Sequence, residues 1–434
     1  MLKSMLFGGP SGSGSWVSVL GGTGTDEGAS VAVSADGSIY VCGTTSSVGS
    51  GGKDIFLAKF DSSGTIQWQR AIGGTGTDEG ASVAVSVDGS IYVCGSTNSE
   101  GAEGYRDIFF AKFDSSGNIQ WQKAIGGTGS DEGASVAVSA DGSIYVCGTT
   151  GTKLFLSRNN SYGDPIFRLT TVGDSYTYGR SIATYGSYVY TCGTTNYPGI
   201  SGYDILIVAY NSNGNFQWKR TLGGSTTKSD QADSIAVSAD GSIYVCGHTS
   251  FEASEGGDIF LAKFDSTGRN NLWQRAVGGT GTDEGASVAV SADGSIYVCG
   301  TTSSVGSGGK DIFLAKFDSS GTIQWQRAIG GTGTDEGASV AVSADGSIYV
   351  CGTTSSVGSG GNDCVVIRIT EDLIKKSRDV IIGKFTFSTP SLTSGSSSLT
   401  YGSSSLTTSS SSLTYKTMSL TSEESFLSDN LYKG

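Results

Sequence analysis

Five adjacent carboxylate pairs recur along the chain: Asp26-Glu27, Asp78-Glu79, Asp131-Glu132, Asp283-Glu284 and Asp335-Glu336. Asp230 precedes Gln231 in the same context, and Thr177-Tyr178 takes that place once more. Each pair closes a Gly-rich opening, Gly-Gly-Thr-Gly-Thr-Asp-Glu-Gly at 21–28 in the first copy. Three chemistries are open to such groups. They can accept backbone N–H bonds in the Gly-rich turn. They can form an electronegative ring for a cationic partner. They can offer oxygens to calcium, because Gly-Gly-Thr-Gly-Thr-Asp matches the start of the calcium-binding nonapeptide GGxGxDxUx. That match breaks at Gly28, where the pattern requires a large apolar residue, and the copies are not in tandem. Paired acids also serve glycoside hydrolysis. Near-identical units, however, make near-identical sites, whereas catalysis needs one asymmetric constellation with displaced pKa values. The expectation is a non-enzymatic protein without a cofactor, calcium being the one candidate ion.

Other reactive side chains are few. His248 is the single histidine, which excludes a multi-histidine metal site and argues against histidine catalysis. Seven cysteines (42, 94, 147, 192, 246, 299, 351) sit before glycine at spacings of 52, 53, 45, 54, 53 and 52. Equivalent places in successive repeats lie too far apart for disulfides, so these read as buried free thiols, suited to a reducing compartment. A Tyr-rich stretch at 173–222 offers Tyr176, Tyr178, Tyr197 and Tyr203 as amphipathic contact residues.

The elements that must position these groups are repeats. Residues 21–86 and 278–343 are identical, and 330–361 repeat 21–52. Each unit holds four strand patterns: Val31–Ser34, Ile39–Cys42, Ile55–Phe60, and one centred on Ile66-Gln67-Trp68-Gln69. Asp36-Gly37 is a hairpin signal, and Asp61-Ser62-Ser63-Gly64 a turn. Four strands in about 52 residues, seven times over, is a β-propeller pattern. The last unit lacks a fourth strand, and Trp16-Val17-Ser18-Val19-Leu20 before Gly21-Gly22 matches the missing piece. The N-terminal segment is therefore predicted to complete the final blade, removing the sheet edges. Strand-four Trp residues are expected to pack between blades. The acidic openings connect one blade to the next and should ring one channel mouth. The loops between strands two and three (46–53, 98–106, 196–203, 249–257, 303–310, 355–362) should share that face, with His248, Phe251 and Glu252 in the long loop of the fifth unit.

The predicted division is an N-terminal tail (1–13), an all-β, seven-bladed propeller of four-stranded blades (14–371), a connecting segment with strand character (372–390), and a Ser/Thr-rich tail (391–434). In that tail Ser-Leu-Thr recurs at 391, 398, 405, 412 and 419. One Leu per heptad makes a poor coiled coil. The tail reads either as a flexible Ser-rich segment or as a strand–turn array that orders on a repetitive partner, with avidity from equivalent motifs.

A formal net charge of -13 argues against nucleic acid as a partner. No apolar run reaches the roughly 18 residues of a membrane-spanning helix. The apolar run at the N-terminus is too short for a signal-peptide core. The residues GGTGTDEGASVAVSADGSIYVCGTT resemble the SBBP repeat, a β-propeller repeat common in large bacterial surface or secreted proteins. The resemblance implies a propeller and a cell-surface setting but no single reaction. The function expected is a protein-binding or structural propeller, docked by one face and the tail in a larger assembly such as a virion or cell envelope. The alternatives are a carbohydrate-binding or surface-adhesion propeller and a calcium-binding or hydrolytic one.

Overall fold

The computed structural model describes residues 2–370 except 9–13, 100–104, 173–175, 197–201, 224–228, 251–255 and 307, then Leu373 and the tail strands named below. Among these residues the chain folds as seven antiparallel sheets around a central channel. The first blade comprises Asp26–Val33, Ile39–Thr45, Asp54–Phe60 and Ile66–Gly73. Strand one lines the channel and strand four faces outward. Strands two and three are buried on both faces, as their unbroken apolar character requires. Hydrophobic clusters lie between successive blades: Tyr40, Leu57 and Ile72 of blade one pack with Val83, Val93 and Phe109 of blade two. The cysteines are buried and free. Gly37 takes φ 81° in its hairpin, the left-handed region glycine enters without steric penalty.

The seventh blade combines both ends of the chain. Trp16–Gly21 pairs antiparallel with Asp363–Ile369, with Trp16 opposite Arg368 and Leu20 opposite Cys364. Its joint to blade one is built like the others. Trp16 Nε1 donates to Ser62 O at 3.1 Å, as Trp68 donates to Ser115 O at 3.2 Å and Trp273 to Ser319 O at 3.1 Å. Seven four-stranded blades closed by the N-terminal strand are what the repeat count predicts.

Each sheet gains an outer strand that the repeat count does not contain. Lys3–Gly8 pairs along Trp16–Gly21. The C-terminal segment supplies the other six: Phe385–Ser388, Thr393–Gly395, Thr400–Gly402, Thr407–Ser410, Thr414–Thr417 and Thr421–Glu424. They cover blades six, five, four, three, two and one in that order. The register is the same each time. Thr386, Thr393, Thr400, Thr407, Thr414 and Thr421 face Gly330, Gly278, Gly223, Val172, Gly126 and Gly73, the last residue of each strand four. Seven residues of tail thus correspond to one blade. Val380–Ile382 pairs with Phe385–Ser388 as a sixth strand on blade six.

Candidate functional site

The channel holds a cavity of about 1060 Å³. Its wall is strand one of every blade, where side chains alternate in direction until a bulge at Gly28/Ser30 and its equivalents shifts the phase. The alternation separates the two acids of each pair. Asp26, Asp78, Asp131, Asp230, Asp283 and Asp335 are buried. Asp26 Oδ2 accepts from the Gly22 N–H at 2.8 Å and from Ser47 Oγ at 2.7 Å. Asp78, Asp283 and Asp335 repeat this with Gly74 and Ser99, Gly279 and Ser304, and Gly331 and Ser356. Asp131 accepts from Gly127 N–H at 2.9 Å, and Asp230 from Thr249 Oγ1. These aspartates knit the Gly-rich turn to the loop after strand two.

Glu27, Glu79, Glu132, Glu284 and Glu336 line the cavity instead. Cations that precede strand three bridge them. Lys53 Nζ lies 3.9 Å from Glu27 and 4.0 Å from Glu79. Arg106 pairs with Glu79 and, at 3.4 Å, with Glu132. Lys310 Nζ is 3.0 Å from Glu336. The ring is therefore a belt of alternating sign along most of its circumference. No group of three or more His, Cys, Asp or Glu is placed to hold a metal ion among the described residues.

Buried acids also meet at the blade joints. The point where a Cβ on Gly73 would lie is 1.9 Å from Asp54 Oδ1 and 2.8 Å from Asp78 Oδ2, so carboxylates from neighbouring blades converge there. Gly126, Gly278 and Gly330 mark the same meeting of Asp107 with Asp131, Asp258 with Asp283 and Asp311 with Asp335. Burial, then the Asp26 charge, pushes Asp363 up to about 6. Burial and Asp230 do the same to Asp204, also to about 6. At the joint between blades three and four the corresponding residues are Lys153, Val172 and Thr177.

Blades four and five break the pattern within the channel. At the glutamate position stand Tyr178 and Gln231. Two residues on, where Ala29, Ala81, Ala134, Ala286 and Ala338 line the wall, stand Arg180 and Asp233. Where Thr44, Ser96, Thr149, Thr301 and Thr353 face inward, His248 does so. The four polar newcomers touch. Arg180 Nη2 donates to Gln231 Oε1 at 3.5 Å, Gln231 Nε2 donates to Asp233 Oδ1 at 2.5 Å, and His248 Nδ1 lies 3.4 Å from Asp233 Oδ2. The hydrogen bond to Asp233 raises the His248 pKa; burial opposes it, the charges of Asp233 and Glu284 add to it, and Arg180 subtracts.

His248 thus belongs to the end of strand two of blade five, Ile243–Thr249, where it reaches the channel, and not to the long loop where the sequence places it. Arg180 and Asp233 carry no signal as residues; their signal is that they replace alanine at one repeat position. Tyr203 stands beside Tyr178, ring centroids 6.2 Å apart, and burial raises the Tyr178 hydroxyl pKa. Tyr176 is exposed. Tyr197 lies outside the described residues. Trp68, Trp121, Trp218, Trp273 and Trp325 all pack at blade joints, partly buried.

Residues 67–101 match the SBBP β-propeller repeat. Residues 34–66, 291–323 and 343–373 match the domain of unknown function DUF5122, also a β-propeller. The chain is 31% identical over 144 residues to the regulatory protein FlaEY of Caulobacter vibrioides, a match covering 28% of this chain and 15% of that protein. Among solved structures, Sqt1 from Chaetomium thermophilum aligns over 80% of this chain and 97% of its own, at 14% identity and TM-score 0.39. A puromycin hydrolase aligns over 76% and 51%, at 15% and 0.44. Neither likeness carries an argument about activity. With the matching repeats and the seven blades in hand, this chain is a seven-bladed β-propeller whose repeats are similar to the SBBP and DUF5122 propeller repeats.

Proposed function

We propose that this protein is a non-enzymatic binding propeller that docks a protein partner at its channel mouth, as one component of a larger assembly such as a virion or cell envelope. One observation carries the reading. In a ring of near-identical units, the changes at the channel-facing glutamate and alanine positions, and the histidine at a threonine position, all fall on one patch of channel wall: Tyr178, Arg180, Gln231, Asp233 and His248. A repeat fold closes without them, as the other blades do with alanine and threonine, and residues that break a local rule mark functional sites. Tyrosine and arginine are the residues that anchor protein interfaces. A closed disc holds them rigidly, so little ordering entropy is lost on docking.

The test uses the full chain as bait in extracts of its native source. The reading expects one protein captured in stoichiometric amount, and its loss when Arg180→Ala, Asp233→Ala and His248→Thr restore the repeat. Capture that survives this triple change but fails with Glu27→Ala and Lys53→Ala would move the interface across the ring and end the reading. The Tyr178–Tyr203 ring pair supplies an aromatic surface of the kind sugars stack on. Saturable binding of a glycan, with no protein captured, would replace the assembly reading with the adhesion one.

A further inference from the structure

The channel patch differs from the rest of the wall in the charges it carries. Around most of the ring, glutamates alternate with Lys53, Arg106 and Lys310, which hold them at 3.0 to 4.0 Å or in closer contact. In blades four and five the glutamates are gone, replaced by the neutral Tyr178 and Gln231. An arginine and a histidine appear in the same place, with one new acid, Asp233, beside them. Arg180 is exposed to the cavity, with a 3.5 Å contact to Gln231 Oε1. His248 is held through Nδ1 by Asp233 and also lines the cavity. Two glutamates are lost while an arginine, a histidine and one new acid, Asp233, are gained at one spot, which shifts the local balance away from negative charge.

We infer that Arg180 and His248, joined through Gln231 and Asp233 on the channel wall of blades four and five, form a receptor for an oxyanion group, a carboxylate or a phosphate. The inference rests on reading this patch as a binding site and names the chemistry it reads. The guanidinium offers a planar fork matched to two oxygens of such a group. Asp233 faces the imidazole through Nδ1, which fixes the ring, and in the protonated ring Nε2 is a second donor. Gln231 bonds to both Arg180 and Asp233 and so orients the pair. Asp233, Glu284 and Arg180 are the charged groups that act on His248. Asp233 and Glu284 favour the protonated ring, and a bound anion would favour it further.

The chain's single histidine makes the experiment direct, because the imidazole signals in a proton NMR spectrum have one source. The full chain is titrated with sodium phosphate and, separately, with sodium acetate at constant ionic strength and pH. The inference expects a saturable shift of the His248 ring signals with at least one probe. Arg180→Ala is expected to weaken it by about tenfold or more, the scale of a hydrogen bond to a charged group. Arg269→Gln, a cation in an outer turn, should leave it unchanged. A response to phosphate alone assigns a phosphate-bearing ligand; a response to acetate assigns a carboxylate. A shift that does not saturate with either probe, or one that persists in Arg180→Ala, overturns the inference. If the probes fail while the triple substitution still abolishes partner capture, the binding reading stands and the oxyanion chemistry falls. If the probes succeed while capture ignores the patch, the reverse holds.

Discussion

At the scale of residues, an acidic pair read as one feature divides into two. The aspartates serve the turn, and the glutamates face the channel among bridging cations. The recurrence of the pairs was legible, because repeats display equivalence directly. Their separation was not, because it depends on side-chain alternation and on a bulge at Gly28/Ser30 that no residue type announces. The same alternation puts position 29 on the channel side with position 27, which gives Arg180 and Asp233 their meaning. One prediction belongs here. Asp233 raises the His248 pKa, so their contact stabilises the fold below the ordinary histidine range. That contribution is lost as pH rises through the folded value. Asp233→Asn should bring the His248 titration down toward its ordinary value of about 6.5. An unchanged NMR titration curve would show that Asp233 does not control the ring.

At the scale of elements, the blade joint and the tail strand carry the account. Asp363 and Asp204 hold their protons to about 6 in the folded chain, against about 3.9 for an aspartate in an unfolded one. The folded state therefore binds more protons across that window, and stability falls as pH rises through it. Thermal unfolding is expected at higher temperature near pH 5 than near pH 7, after allowance for other groups. Asp363→Asn should flatten that slope; an equally steep slope in the variant would place its origin elsewhere. The tail strands make a second case. Their seven-residue phase was plain in the sequence. Their seat on the chain's own blades was not, since period alone does not say which repetitive surface a strand joins. Because one heptad matches one blade, deleting residues 403–409 should move every later strand back by one blade. Blade one would then lose its cover. Hydrogen exchange along Ile66–Gly73 should quicken by about tenfold or more while Asn271–Gly278 is unaffected. Equal change in both strands would refute the one-heptad, one-blade match.

At the scale of the whole molecule, both chain ends are spent on giving every blade a further strand outside its fourth. Trp16–Gly21 closes the ring, Lys3–Gly8 covers the closing blade, and six tail strands cover the rest. Unpaired edges invite other chains to add strands, and beside each strand four that place is taken by the chain's own segments. Blade number and closure were legible because unit length, turn signals and the missing fourth strand agree. The unequal channel was not, because it appears only when the ring is assembled and its units compared side by side. Trp16 is buried where first and last blades meet, and Trp16→Ala should cost about 3–5 kcal/mol in urea unfolding. Trp68, partly exposed at an interior joint, should cost less when replaced the same way; the opposite order would mean that closure is not the ring's weak joint.

The central claim is that Arg180, Asp233 and His248 serve recognition and not the fold. The most direct check is the melting temperature of the full chain carrying Arg180→Ala, Asp233→Ala and His248→Thr together, measured without any partner at a pH above the His248 titration, where the Asp233 contact no longer stabilises the fold. Residues that serve binding leave stability unchanged or slightly raised when exchanged for the repeat's own choice. A melting temperature equal to or above that of the parent is the predicted result, and a drop of several degrees would contradict it.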